Sequence, residues 1–152
     1  MGPEMDEDLA RRLQEEHKAL IALSQVLKEH IAATPTADSG QWVEGLRMAF
    51  DRLHSHITRC IEMKVKDGYL ETILKERPTL ATQVAAIKAE HGQLLRMADA
   101  IRNDLAGSRP EDRLLVADAC ARVQRFIAIV GQHEQRENMI VLFAFNQDLG
   151  AH

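Results

Sequence analysis

The chain has 152 residues, 45% of them hydrophobic and 28% charged, with a formal net charge of -4 and a pI near 6.0. That balance points to one soluble globular domain over 1–152, and the mild acidity gives nucleic acid or an anionic membrane no electrostatic attraction. No apolar run approaches the roughly 18 residues needed to cross a bilayer, and the acidic start MGPEMDEDLA is unlike a secretory leader, so a cytoplasmic protein is expected. Two cysteines, Cys60 and Cys120, are too few for a disulfide framework.

The first predicted helix carries a seam at Leu13, His17, Leu20, Ser24, Leu27 and Ile31, with steps alternating between four and three. After a break at Pro35, the second runs through Leu46, Phe50, Leu53, Ile57, Cys60 and Lys64 and on past Tyr69. His56 lies on the flank of that seam and His54 further round. Pro78 marks the next break. The third helix follows with Leu80, Val84, Ile87, His91, Leu94, Ala98, Ile101 and Leu105, in which His91 is the polar member. Ser108 and Glu111 have the spacing of a capping box around Pro110, so the fourth helix should start there. Its seam is Val123, Phe126, Val130, His133, Glu137, Ile140 and Ala144. No segment alternates as a strand would.

Short connections favour antiparallel neighbours, and the simplest closure is an all-α, up-down-up-down four-helix bundle. In that arrangement early positions on odd helices meet late positions on even ones. His17, His91, His133 and Glu137 should then converge on one level, with Cys60 and Lys64 beside them. Each unpaired polar group buried there would cost about 1 to 3 kcal/mol. A metal ion would satisfy them together, since imidazole and carboxylate from facing helices build non-haem metal sites in bundle cores.

These residues resemble the hemerythrin-like, or HHE cation-binding, domain family over nearly the whole chain. The likeness rests on EEHKAL around His17, CIEMKVKDGYLETILKERP, AEHGQLL around His91 and the terminal HEQRENMIVLFAFNQDLG. In that last stretch His-x-x-x-Glu-Asn, an apolar run and Asp-x-Gly make a characteristic family ending. The resemblance implies a four-helix bundle holding two iron ions through histidines and bridging carboxylates. The implied functions are oxygen binding, redox or nitric-oxide-related chemistry, iron handling and sensing. It implies His17, His91, His133 and Glu137 as metal ligands.

The second helix departs from the pattern. Anchored on Asp67, Gly68, Tyr69 and Leu70, the family motif places a histidine where Cys60 stands and a glutamate where Lys64 stands. Leu95 occupies the place of a further histidine sometimes found there. Sliding the alignment would recruit His56 as a ligand at the expense of the Asp-Gly-Tyr anchor. The exchange at Lys64 weighs most, because an ammonium about 5 Å from a divalent ion is repelled by roughly 7 kcal/mol at an effective dielectric near 20.

The site is therefore expected to hold one iron or zinc ion or none. Lys64 either pairs with Glu137 in a metal-free bundle that serves as a structural or interaction module, or swings outward. In the second case His91, His133 and Glu137 form a two-histidine, one-carboxylate set, with His17 or Cys60 as further ligands. An oxidoreductase would need a substrate pocket that the sequence does not display. Cys60 is read first as a buried filler of a vacated histidine position. Its alternative is a redox-sensitive thiol acidified by Lys64 and Arg59. Tyr69 and Cys120 are read as packing residues, Met48, Met63, Met97 and Met139 as scattered gap-fillers or surface-edge residues, and His30, His54 and His152 as exposed. A metal ion is the one partner the sequence points to; no protein partner is indicated.

Overall fold

A computed structural model describes residues 3–33 and 39–145. The helices are α1 (Pro3–Ala32), α2 (Ser39–Asp67), α3 (Tyr69–Glu76), α4 (Ala81–Ala106) and α5 (Arg113–Phe145). A 3-10 turn occupies Pro78–Leu80, and no strand occurs among the described residues. The all-helical expectation holds. Among the described residues no helix is long and apolar enough to cross a membrane. The break expected at Pro35 and the Asp148-x-Gly150 ending lie outside the described residues, as does His152.

Two expected boundaries are corrected. The second helix does not run on through Tyr69, because Gly68 adopts a left-handed conformation (φ 73°) that a residue with a Cβ enters only at a cost, and the chain restarts as α3. Ser108 does not open the last helix either. Its hydroxyl donates to Asp104 O at 2.8 Å, closing the end of α4. The carbonyl of Asp112 instead accepts the first bond of α5, from Val116 N–H at 2.9 Å.

The four long helices close a ring of contacts, α1 against α2 and α5, and α4 against α2 and α5. Polar links fix which ends meet. Arg12 pairs with Asp67 at the end of α2. At the other end of α1 the His30 ring stacks on Trp42 at 5.0 Å, and the Trp42 indole N–H donates to Ala33 O at 2.7 Å. His30 Nε2 also bonds Trp42 O at 2.7 Å, so His30 is a structural clip and not an exposed chance residue. His54 is likewise buried, facing Asp99 across the α2–α4 contact at 2.7 Å. The methionines are scattered as expected, Met48, Met63 and Met139 exposed and Met97 partly buried against the core.

The apolar core falls into two clusters. One gathers Leu20, Phe50, Ile57, Leu94, Phe126 and Val130, and the other Leu13, Tyr69, Leu70, Ile87, Val141 and Ala144. Along α1, α4 and α5, and from α2 into α3, the chain passes from one cluster to the other through polar residues: Glu16 and His17, Glu90 and His91, His133 to Glu137, and Lys64. A polar layer thus divides the core.

Candidate metal centre

Glu137 is the hub of that layer and is fully buried. Its Oε1 accepts from Lys64 Nζ at 2.6 Å, and its Oε2 accepts from Tyr69 Oη at 2.5 Å and from His91 Nε2 at 2.9 Å. Four helices contribute to these contacts: α2, α3, α4 and α5. Burial alone would push the Glu137 carboxyl up. The His91 hydrogen bond, the charge and hydrogen bond of Lys64 and the Tyr69 hydroxyl outweigh it and hold the group down at about 2.

Lys64 points inward, with a side chain 12% exposed. Its Nζ also lies 3.6 Å from Glu16 Oε2. Burial alone would lower its pKa, but Glu137, Glu16 and Glu134 together raise it, so the ammonium stays charged. Tyr69 is held well above the ordinary phenol value, first by burial and then by the adjacent Glu137 charge, and remains a donor.

His91, His133 and Glu137 each present a ligand atom within 4.8 Å of the others, and all three are buried. His133 Nδ1 faces Glu90 Oε1 at 2.6 Å. A carboxylate only accepts, so the proton sits on Nδ1 and Nε2 carries a bare lone pair. That Nε2 is buried without a hydrogen-bond partner, 3.9 Å from Glu137 Oε2. Burial lowers the pKa of His133, against the pull of Glu90 and Glu137, and so favours the neutral ring that coordination requires.

The donor set fits one ion. Ligands about 2.1 Å from a common metal lie about 3.0 to 3.4 Å apart at octahedral and tetrahedral angles. The separations of 2.9 and 3.9 Å from Glu137 Oε2 bracket that range. Metal binding there would displace the proton that His91 Nε2 donates to Glu137.

The other expected ligands stand apart from this set. His17 was expected inside the seam, but its side chain is 40% exposed and its Nδ1 lies 3.1 Å from Glu134 Oε1. Ser24, Ala128 and Gly131 are small and leave a groove of about 340 Å³ between α1 and α5, into which His17 faces. Cys60 and His56 pair with each other instead, Sγ to Nε2 at 3.6 Å, and His56 Nε2 is also 3.2 Å from Glu16 O. The acidified-thiol reading of Cys60 is overturned. Burial, followed by the nearby Glu16 charge, pushes the thiol up to about 11 despite Lys64. Cys120 is buried, as expected of a packing residue.

Sequence reasoning missed Glu16, Glu90 and Glu134 and underrated Tyr69. The three carboxylates are chain neighbours of His17, His91 and His133, so the Glu-His and His-Glu dipeptides were the available signal. Glu16 and Glu134 are both shifted upward, chiefly by burial. Together with Ile57, Cys60, Lys64 and His133 they line a cleft of about 30 Å³, room for a water or two.

With this geometry in hand, comparison of the chain with protein-family models, curated proteins and solved structures finds no match.

Proposed function

We propose that the chain is an antiparallel, up-down-up-down four-helix bundle of hemerythrin-like type in which a two-metal centre is reduced to one metal position. The ring of helix contacts and the end-to-end pairings Arg12–Asp67 and His30–Trp42 support the topology. His91, His133 and Glu137 would hold one iron or zinc ion, and Lys64 takes the place of the second. When bound, iron in such a set supplies a redox couple and zinc a Lewis acid. The protein is read as a metal-binding protein, not an enzyme.

One observation carries the reading. The His133 Nε2 lone pair is buried, unpartnered and aimed at the same carboxylate oxygen that His91 contacts. The charge balance agrees with it. Glu16, Glu134 and Glu137, when ionised, outnumber the single Lys64 ammonium by two negative charges, which one divalent ion neutralises. The repulsion expected from Lys64 alone is thereby offset by two carboxylates that sequence reasoning had not placed.

A second reading, a metal-free interaction module, draws on a different observation: Lys64, Tyr69 and His91 already occupy both oxygens of Glu137. Cobalt(II) titration of tag-free protein, followed by its visible absorption and by elemental analysis, separates the two. The metal reading expects about one ion per chain, lost in His91→Ala and His133→Ala. A ratio below about 0.1 that neither variant changes refutes it and leaves the metal-free module.

A further inference from the structure

Glu90 lies on α4 next to His91, yet its side chain turns to α5. There its Oε1 accepts from two groups at once, His133 Nδ1 at 2.6 Å and Arg136 Nη2 at 2.8 Å. The His133 side chain is 6% exposed, Glu90 25% and Arg136 50%, so the three run from the interior to the surface. A neutral imidazole carries one N–H, and the nitrogen that holds it is decided by the partner of the other. Glu137 would otherwise claim that proton on Nε2, because it is the carboxylate facing His133 from within. The Nδ1 contact with Glu90 is the shorter by more than 1 Å.

We infer that Glu90, held in place by Arg136, is a positioning residue that fixes His133 as the Nδ1–H tautomer and thereby keeps its Nε2 lone pair directed into the polar layer. Arg136 neutralises the carboxylate and fixes its rotamer from the solvent side. The His91–His133 edge contact, with centroids 5.0 Å apart, holds the ring plane from the other side. The tautomer assignment rests on the geometry of the metal-free protein alone. Its consequence for affinity rests on the metal reading above. Carboxylates that orient a ligand histidine in this way change metal affinity by about 10- to 100-fold.

Long-range 1H–15N correlation spectra of the histidine rings in the metal-free protein read the tautomer directly. The native protein should show Nδ1–H for His133, and Glu90→Ala should shift it to Nε2–H, donating to Glu137. Glu90→Gln keeps an acceptor oxygen and should retain the native tautomer. Arg136→Ala changes only a half-exposed residue and should yield a mixture. Cobalt affinity should then fall about 10- to 100-fold in Glu90→Ala and less in Arg136→Ala. A His133 tautomer unchanged by Glu90→Ala overturns the inference, and a switched tautomer with unchanged cobalt affinity overturns its consequence for metal binding. A switched tautomer in a protein that binds no cobalt in its native form upholds the positioning role and removes only the metal reading.

Discussion

Replacing Lys64 by methionine keeps most of the side chain's volume and removes its charge, which isolates the ion pair with Glu137. Both side chains are withdrawn from water, Lys64 at 12% exposure and Glu137 at 1%, so solvent screens the pair little. Removing one partner of a buried pair costs about 3 to 5 kcal/mol. Glu137 keeps its bonds from His91 and Tyr69, which places the expected loss near the lower end. For a chain of this length that lowers the melting temperature by about 6 to 12 °C. Urea unfolding of the metal-free protein at pH 7, followed by circular dichroism, measures it. The double variant Lys64→Met with Glu137→Gln should recover to within about 1 kcal/mol of the native protein, because the buried charge is gone with its partner and the amide oxygen still accepts from Tyr69 and His91. A single-variant loss below about 1 kcal/mol would mean that the ammonium faces water, and the account of the polar layer would fall with it.

Cys60 should resist alkylation. With the thiol near 11 in place of 9.0, its thiolate fraction at pH 8 is about 100-fold lower than that of an ordinary cysteine, so iodoacetamide should label a Cys120→Ser variant correspondingly slowly and with a rate that climbs to about pH 11. A rate plateau below pH 9 would contradict the burial. Acid should remove the stabilisation provided by Glu137. Its depressed folded value means that the contribution is complete above about pH 4.5 and is lost as pH falls towards 2, whereas the upward-shifted Glu16 and Glu134 gain stability over their own descent. The native protein should therefore lose stability more steeply below pH 4.5 than Glu137→Gln in parallel urea titrations; equal slopes would refute this. Gly68→Ala forces a Cβ into the left-handed region and should cost about 1 kcal/mol in the same assay.

The long helices were legible because each seam repeats an unbroken 3.6-residue period, and His91, His133 and Glu137 could be placed together because they interrupt two of those seams. Periodicity failed at His17. A seam gives the angle of a residue around its helix, and whether a neighbour closes over that angle depends on the partner surface, here the small residues of α5. It failed also for Glu16, Glu90 and Glu134. Each is rotated by about 100° from the neighbouring histidine, which reads as a solvated flank until a second helix packs beside it. The direction of Lys64 was open in the sequence because its stem is long enough to reach either water or the interior. The choice depended on how many carboxylates awaited it.

The chain contains one tryptophan and one tyrosine, and the fold parts them. Trp42 is stacked on His30 where α1 ends and α2 begins, while Tyr69 follows the other end of α2, beyond an axial rise of about 38 Å over the 25 residues from Trp42 to Asp67. Each terminus of the rods consequently has its own chromophore. Indole fluorescence reports fraying at the His30 clip, and ultraviolet difference absorption of the phenol reports what happens around Glu137, so the two halves of the molecule can be followed separately without introducing a label.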